Sequence, residues 1–349
     1  MIGVDLFAGA GGLTQGAKSA GITVRSAVEF HHAASATFSQ NHPEVSLYSQ
    51  DITTIRDLDV GVRDQELVLF GGPPCQGFST SNQRTRHRDN PRNWLFLEFL
   101  RFVRSMQPDW VVFENVAGVL QTDGGSFILS FESELRSLGY QISSGTINSF
   151  DYGIPQKRSR FFSIAARNGS PPSSPVAEAE RRFKLKDAID DLPELLNGAC
   201  EDMLSYRKDA ESPYAKALRG DMSVSTGHLV SRNADEIVAR YPFIPQGGNW
   251  KNVPGMMREG FDDRRRYHTG IYRRLREDEP SVVIGNFRKN MLIHPTQNRG
   301  LSVREAARIQ SFPDNYKFAG SIGFQQQQVG NAVPPLLAEA VFNAILAVN

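Results

Sequence analysis

Close to the start of the sequence lies Ile2-Gly3-Val4-Asp5-Leu6-Phe7-Ala8-Gly9-Ala10-Gly11-Gly12-Leu13, an apolar strand pattern that runs into a glycine-rich turn. The next residues predict a helix that ends near Gly21 and a second strand over 22–28, closed by Glu29. In nucleotide-binding βαβ units the glycines let a ligand approach the backbone, and an acid after the second strand holds ribose hydroxyls. The glycine spacing is not the Gly-x-Gly-x-x-Gly of dinucleotide folds. The stretch therefore predicts a related but different nucleotide site.

The alternation of strand and helix patterns continues through the first half of the chain. Further strands are predicted over 67–72, 109–113, 140–148 and 160–166, and helices over 31–41, 94–106 and 126–138. Strands that alternate with helices are typical of a sheet covered on both faces. We therefore predict an α/β fold with a doubly wound, mostly parallel sheet.

The pattern changes at the proline- and serine-rich segment 169–175, which predicts a linker. Residues 176–300 lack the strand–helix rhythm and predict a second, smaller, irregular domain. Helical periodicity returns towards the end, and we expect 315–349 to complete a first domain that spans 1–168. A chain of 349 residues has room for two such cores.

The composition is that of an ordinary water-soluble protein, with 40% hydrophobic and 22% charged residues. No uninterrupted apolar run approaches the roughly 20 residues that cross a membrane. Two cysteines provide no disulfide framework, and so few cysteines and histidines argue against a zinc site. We expect a cytoplasmic protein with no metal and no membrane association.

The net charge of +1 hides two basic clusters. Residues 251–276 hold eight basic against three acidic side chains, and residues 84–92 hold four arginines against one aspartate. A solvated face and a surface that binds a polyanion such as nucleic acid both fit this clustering.

A reactive loop comes after the predicted strand 67–72, where Gly71-Gly72-Pro73-Pro74 leads into Cys75. The glycines permit a sharp turn and the prolines stiffen the backbone beside the cysteine, so the thiol is presented at a strand end. Open α/β sheets place their chemistry at that end. The alternative is a small apolar cysteine in a tight turn.

Six segments along the chain together resemble the DNA (cytosine-5) methyltransferase family, in its bacterial restriction–modification type. The resemblance is close over 1–166 and 294–349 and loose between them. It is carried by Asp5-Leu6-Phe7-Ala8-Gly9-Ala10-Gly11-Gly12, Gly72-Pro73-Pro74-Cys75-Gln76-Gly77-Phe78-Ser79, Glu114-Asn115-Val116, Gln156-Lys157-Arg158-Ser159-Arg160, 304–314 and Gln328-Val329-Gly330-Asn331-Ala332-Val333-Pro334.

The resemblance implies a set of catalytic residues. Cys75 would be the nucleophile, because a thiolate added to carbon 6 of cytosine makes carbon 5 able to attack a methyl donor. Glu114 would contact ring nitrogen 3 and the exocyclic amine, and Arg158 and Arg160 would orient the base and the reactive loop. A helix-cap or surface role for Glu114, and a plain salt bridge for one arginine, are the alternatives.

The cofactor implied by the resemblance is S-adenosyl-L-methionine. Glu29 would bind its ribose hydroxyls, Phe30 would stack on its adenine, and Asp51 with Ile52 would contact the adenine edge. The remaining residues expected around it are Phe7, Gly9, Gly11, Gly12, Leu13, Pro73, Leu95, Asn331 and Val333. Core packing is the alternative for the aromatic residues and for Leu95.

The partner implied is duplex DNA. A base inside a duplex must be flipped out before a side chain can attack it. Base pairs are read by side chains in the major groove, a task that we assign to the second domain. The expected DNA contacts are Ser79, Arg84, Arg86, Arg88, Arg264, Arg265, Arg266 and Arg273.

These implications make the chain a monomeric bacterial DNA (cytosine-5) methyltransferase, either the modification partner of a cognate restriction endonuclease that acts separately or a solitary methylase. One alternative is a tRNA methyltransferase, although the Cys-Phe-Thr segment of those relatives is absent from the sequence. A dinucleotide-dependent oxidoreductase would leave Cys75, Glu114 and the arginine pair unexplained. The same four residues argue against a catalytically dead DNA-binding relative.

Overall fold

The computed structural model describes residues 1–62, 64–74, 95–121, 125–173, 175, 182–257, 270–285, 287–288 and 291–348. The chain folds into two compact units. The first contains Met1–Tyr152, Ser159–Ala179 and Val333–Asn349, and the second contains Gly153–Arg158 and Glu180–Ala332.

The strands and helices within these ranges are numbered in chain order. The strands are β1 (Ile2–Leu6), β2 (Thr23–Val28), β3 (Ser46–Tyr48), β4 (Leu67–Gly71), β5 (Trp110–Val116), β6 (Gln141–Asn148), β7 (Ser159–Ala166), β8 (Leu204–Ser205) and β9 (Val224–Ser225). The helices are α1 (Gly12–Ser19), α2 (His32–Asn41), α3 (Leu95–Met106), α4 (Ser126–Ser137), α5 (Leu185–Ile189), α6 (Pro213–Arg219), α7 (Asp235–Val238), α8 (Val303–Ile309), α9 (Ile322–Asn331) and α10 (Pro335–Leu346).

The first unit is organised around one sheet with the strand order β3-β2-β1-β4-β5-β7-β6. The pairs from β3 to β5 are parallel, whereas β7 is antiparallel to both of its neighbours. Every residue of β1 and β4 is buried, as expected for central strands covered on both faces. The predicted doubly wound, mostly parallel α/β fold is confirmed.

Aromatic side chains join the helices to this sheet. Phe99 of α3 and Phe131 of α4 pack on Phe113 of β5, with ring centroids 5.7 and 4.2 Å apart. On the other side of β4, the ring of Phe70 lies 5.0 Å from that of Phe342 in α10. The last helix is therefore part of the core of the first unit.

The second unit has little regular structure, and buried ion pairs are central to it. Arg308 donates to Asp314 at 2.6 Å and to Asp191 at 3.0 Å, and all three side chains are almost fully buried. A second buried pair joins Arg299 to Glu305 at 2.6 Å. Breaking such a pair by removing one partner costs about 3–5 kcal/mol, so these contacts fix how the irregular segments meet.

The compact units divide the chain at positions that differ from the predicted boundaries of 168, 176, 300 and 315. The first unit extends to 179 and is completed by 333–349, while residues 301–332 lie in the second unit. The buried pairs of Arg308 explain this placement, because they connect α8 to Asp191 of the second unit.

The stretch Ile322–Leu346 is long and apolar enough to cross a membrane by length and composition alone. The structure divides it into two helices, α9 and α10, separated at residues 332–334. Within α10 the apolar side chains Leu337, Val341, Phe342 and Ile345 are buried. Helices of 10 to 12 residues with such burial are typical of protein cores.

Candidate active site at the carboxyl ends of the parallel strands

The predicted site residues of the first unit gather at one edge of the sheet. Leu6 pairs with Val28 and with Gly71, and Gly71 pairs with Phe113, so β1, β2 and β4 end at the level of Phe113 in β5, which continues to Val116. Phe7, Glu29, Gly72 and Glu114 are the next residues along these strands. The edge beyond the carboxyl ends of parallel strands is where open α/β sheets bind ligands.

The turn after β1 needs backbone conformations that glycine adopts without strain. Gly9 has φ of 56° and Gly11 has φ of 84°, both left-handed. A Cβ on Gly9 would meet nothing within 4 Å, whereas one on Gly12 would overlap the carbonyl oxygen of Val333. The turn is thus open on one side and closed by the segment before α10 on the other.

Glu29 is fixed by two backbone amides. Its Oε2 accepts from the N–H of Gly9 at 2.8 Å and its Oε1 from the N–H of His31 at 2.6 Å. A carboxylate oxygen has two acceptor sites, so each oxygen retains capacity for a hydroxyl donor. The side chain is therefore held in place and able to receive ribose hydroxyls.

Asp5 is a buried acid inside β1 that sequence reasoning did not assign. Its Oδ2 accepts from the Thr14 hydroxyl at 2.6 Å, while its Oδ1 is buried without a hydrogen-bond partner among the described residues. Burial raises the pKa of Asp5 to about 8, and the nearby Glu29 adds to the effect. The signal in the sequence was an acid within an otherwise apolar run.

The other predicted cofactor residues of this unit differ widely in exposure. The Phe30 side chain is 70% exposed, so it is accessible for stacking, and Asp51 is exposed with its Oδ1 accepting from Thr53. Ile52 and Leu13 are buried, and Leu95 packs against the main hydrophobic core. For these three, packing accounts for at least part of their position.

The residues of this edge fit a nucleoside-containing cofactor. The backbone beside Gly9 is open, Glu29 is held with acceptor capacity, and the aromatic face of Phe30 is uncovered. These are the features needed for a close backbone approach, for hydroxyl recognition and for base stacking.

Glu114 and Arg160 form an ion pair at the end of β5. Arg160 Nε lies 3.0 Å from Glu114 Oε1, and both side chains are 11% exposed. Burial lowers the pKa of the Arg160 guanidinium, and the charge of Glu114 opposes that effect. The antiparallel pairing of β5 with β7 creates this contact, because Glu114 faces Phe162 and Arg160 is its diagonal neighbour.

Asn115 connects this pair to the reactive loop and was not assigned from the sequence. Its side-chain amide donates to the carbonyl of Pro73 at 3.2 Å, and a Cβ on Gly72 would lie 2.6 Å from Glu114 Oε2. Pro73, predicted to contact the cofactor, is buried. The start of the Pro73-Pro74 segment is thus held against the end of β5.

Several predicted residues lie outside the described part of the chain. They are the predicted nucleophile Cys75 and the predicted DNA contacts Ser79, Arg84, Arg86, Arg88, Arg264, Arg265 and Arg266.

Arg158 and Arg160 are only two residues apart but make different contacts. Arg158 is fully buried in the second unit, where one terminal nitrogen donates at 2.9 Å to the carbonyls of Gly330 and of Ala332. These carbonyls flank the exposed Asn331. The observed contacts therefore support a role for Arg158 in shaping the end of α9, and its predicted role towards the base stays a prediction.

The basic cluster of the second unit is partly used for internal structure. Arg274 is buried and donates to the carbonyls of Tyr241, Ile244 and His294. Arg276 pairs with Asp278 and Glu279. Arg273 is half-buried and makes no ion pair with another described residue, so its predicted role as a DNA contact is compatible with its surroundings.

Comparison with known proteins gives consistent matches over the full chain. The model of the family described as C-5 cytosine-specific DNA methylase matches residues 1–347. The type II methyltransferase M1.HphI of Haemophilus parahaemolyticus is 35% identical over 99% of this chain and 87% of its own length. The type II methyltransferase M.DdeI of Desulfomicrobium norvegicum is 36% identical over 98% of this chain and 88% of its own length.

A solved structure agrees with these matches. It is described as a DNA modification methyltransferase encoded within an E. coli prophage, with 25% identity and a TM-score of 0.80. The alignment covers 99% of both chains.

Proposed function

The chain belongs to the C-5 cytosine-specific DNA methylase family and is a DNA (cytosine-5) methyltransferase, and on that premise we propose how its residues perform the reaction. The proposed reaction is transfer of a methyl group from S-adenosyl-L-methionine to carbon 5 of a cytosine flipped out of duplex DNA. Cys75 is the proposed nucleophile.

The observation that supports this proposal most directly is the Glu114–Arg160 pair beside the Gly72-Pro73 segment. A carboxyl group held at 3.0 Å by a guanidinium is fixed in position, where it can receive hydrogen bonds from a base or share a proton with ring nitrogen 3. It lies at the start of the loop that carries Cys75 in the sequence. A cytosine ring bound there would have a carboxyl group on its amine side.

In the proposed mechanism the thiolate of Cys75 adds to carbon 6 of the cytosine, forming a carbon–sulfur bond and leaving electron density on carbon 5. Glu114 stabilises the change in charge at ring nitrogen 3 and the amine, and Arg160 keeps Glu114 in place. After carbon 5 is methylated, a base removes its proton, and the electron pair expels the Cys75 thiolate. The ring regains its double bond and the enzyme is restored.

The residues proposed to hold the cofactor are Glu29 for the ribose, Phe30 and Asp51 for the adenine, and the glycine turn for the methionine part. When bound, S-adenosyl-L-methionine supplies an electrophilic methyl group on a sulfonium. The further cofactor contacts proposed by resemblance are Phe7, Leu13, Ile52, Pro73, Leu95, Asn331 and Val333.

The biological setting is proposed from the relatives. Two of the relatives described above carry the name type II methyltransferase. We infer a modification enzyme that protects cytoplasmic bacterial DNA at one recognised sequence, acting as a monomer alongside a separate endonuclease.

The experiment that tests the reaction uses S-adenosyl-L-methionine labelled in the methyl group, with duplex DNA and with tRNA as parallel substrates. We expect label in 5-methylcytosine of the DNA within one sequence context. Label only in tRNA would replace the DNA substrate with RNA, and no label on cytosine of either would overturn the proposal.

A second experiment tests Cys75. Duplex DNA with 5-fluorocytosine at the recognised position has no proton to lose at carbon 5, so the covalent adduct should persist. We expect a denaturant-resistant protein–DNA complex with the wild type and none with Cys75→Ala. Normal methylation of DNA by Cys75→Ala would refute the assignment of the nucleophile.

A further inference from the structure

The end of α9 leaves a backbone carbonyl without a helical partner. The helix ends at Asn331, and even a continued helix could not satisfy the carbonyl of Gly330, because residue 334 is a proline without an N–H. Arg158 supplies the missing donor at 2.9 Å, from another segment of the second unit. The exposed Asn331 is thus preceded by a carbonyl that is held in the interior.

A buried glutamine that the proposed function does not use holds the same segment. Gln310, the residue after α8, has no exposed surface. Its Nε2 donates to the carbonyl of Val329 at 2.7 Å and to that of Ala332 at 3.4 Å. Arg158 also donates to the Ala332 carbonyl, at 2.9 Å. The backbone on both sides of Asn331 is therefore bound by side chains from the interior.

Gln310 is the second of two buried glutamines in one chain of hydrogen bonds. The backbone N–H of Ile284 donates to Gln156 Oε1 at 3.3 Å, and Gln156 Nε2 donates to Gln310 Oε1 at 2.8 Å. Both glutamine side chains are fully buried. The chain begins at an N–H and ends at the Val329 carbonyl, so each amide can face only one way. Turning either amide over would oppose two donors at one end and two acceptors at the other.

The two backbone segments that this chain of hydrogen bonds joins are in close contact. A Cβ on Gly330 would lie 2.0 Å from the carbonyl oxygen of Gly285, the residue after Ile284. A buried polar network in which every member has a partner fixes one arrangement of the groups that it joins. Replacing Gln310 with an apolar residue would leave the Val329 carbonyl without that donor, at a cost in free energy. The two glutamines therefore fix the end of α9 against residues 284–285.

Asn331 is one of the residues proposed above as cofactor contacts, and its exposed side chain lies on the segment that Gln310 fixes. We propose that Gln310 is a positioning residue for methyl transfer, which holds the end of α9 so that Asn331 meets S-adenosyl-L-methionine in the orientation that binds it. The inference rests on the proposed cofactor. A displacement of about 1 Å at a contacting group is enough to lose most of its contribution.

Three substitutions of glutamine by methionine, which keep the length of the side chain, test this role. Gln310→Met removes the donor to the Val329 carbonyl. Gln156→Met removes only the partner of Gln310 Oε1 and leaves the bond to Val329 in place. The matched control is Gln325→Met near the start of α9, a buried glutamine whose Nε2 donates to the carbonyl of Gly320 at 2.9 Å.

The measurement is the dissociation constant of S-adenosyl-L-methionine by titration calorimetry, with thermal unfolding of the cofactor-free proteins as the check of folding. We expect Gln310→Met to bind the cofactor about tenfold more weakly and Gln156→Met about threefold more weakly. Gln325→Met should stay within about twofold of the wild type. In methylation assays of Gln310→Met the KM for the cofactor should rise by a larger factor than kcat falls.

A double-mutant cycle shows whether the effect passes through Asn331. Asn331→Ala alone should also weaken binding of the cofactor. If Gln310 acts by holding Asn331, adding Gln310→Met to Asn331→Ala should reduce the affinity by less than about twofold more. A further loss of about tenfold in the double variant would overturn the proposal, because the two effects would then be independent. No loss of affinity in Asn331→Ala would overturn it as well.

The remaining outcomes distinguish the inference from the proposed function. If the wild type does not bind S-adenosyl-L-methionine, the proposed cofactor is wrong. If the wild type binds it and a folded Gln310→Met binds it equally well, the positioning role is wrong. Where Gln310→Met does not fold, unchanged affinity in Gln156→Met leads to the same conclusion. A loss in Gln325→Met as large as that in Gln310→Met would also refute the role, since the effect would then come from α9 as a whole.

Discussion

Arg160 and Glu114 lie on adjacent antiparallel strands and meet diagonally, with Nε 3.0 Å from Oε1. Arg160 thereby holds the Glu114 carboxylate beside the Gly72-Pro73 segment, although Arg160 follows Glu114 by 46 residues in the sequence. The pair couples the stability of the sheet edge to the geometry of the site.

Arg160→Met should destabilise the protein as well as inactivate it. The substitution leaves the Glu114 carboxylate buried without its guanidinium, so we expect the free energy of unfolding to fall by about 3 kcal/mol. Urea unfolding measures this change. The double variant Glu114→Gln, Arg160→Met should recover part of the loss, because no buried charge is then left unpaired. Equal midpoints for Arg160→Met and the wild type would contradict the prediction.

Gly72→Ala should reduce the methylation rate with little change in the free energy of unfolding. The new Cβ would lie 2.6 Å from Glu114 Oε2, and the carboxyl group must move to make room. Since the displaced atoms are the end of a side chain, we expect unfolding to change by less than about 1 kcal/mol. A misplacement of a catalytic group by about 1 Å can reduce kcat by about 100-fold. Steady-state methylation and urea unfolding of the same preparation test both parts, and an unchanged kcat would show that Glu114 tolerates the shift.

Gly16→Ala should destabilise the first unit, although alanine is usually the better helix former. A Cβ at position 16 would lie 2.6 Å from the Pro335 carbonyl oxygen and from the Glu339 nitrogen, so α1 and α10 would be forced apart. We expect a loss of about 2 kcal/mol. The matched control is Gly145→Ala in β6, where a Cβ meets nothing within 4 Å, and its effect should be neutral or stabilising. Thermal unfolding compares the two variants, and equal midpoints would refute the close packing.

Asp5→Asn should change how stability depends on pH. The pKa of Asp5 is raised to about 8 in the folded protein from 3.8, so the folded state holds a proton that the unfolded state loses between these values. Stability therefore falls as pH rises from about 4 to 8, by up to about 1.4 kcal/mol per unit. Asparagine still accepts from Thr14 but cannot ionise. Unfolding midpoints from about pH 4 to about pH 9 should show the variant gaining over the wild type as pH rises, and parallel curves would contradict the shift.

The sequence predicts the parts of the fold that depend on local pattern. The buried runs of β1 and β4 and the glycine turn were predicted because apolar runs and glycines act over a few residues. The position at which β5 ends was not predicted correctly. The strand was predicted over 109–113, but Glu114 lies inside it, because pairing with β7 extends β5 to Val116. Such pairing depends on residues far along the chain.

The arginines of the second unit show a second limit on what can be predicted from the sequence. In the sequence, Arg274 and Arg276 look alike, as two members of one basic cluster. In the structure, Arg274 is buried among backbone carbonyls, whereas Arg276 pairs with acidic side chains. Which carbonyls surround a guanidinium is decided by tertiary structure. His42 gave no signal in the sequence, since its partner Lys18 lies on another helix.

The packing of α10 on α1 has a consequence for synthesis of the protein in the cell. Gly16 and Phe70 are made early, whereas the helix that covers them spans Pro335–Leu346. At about 5–20 residues per second the ribosome needs roughly 15–65 seconds to reach that helix. During this interval Phe70 and the surface of α1 that packs on α10 lack that helix, and the apolar surface left open is a natural substrate for chaperones. Truncation by a premature stop codon before residue 335 should therefore give an aggregating chain and not a partly active enzyme.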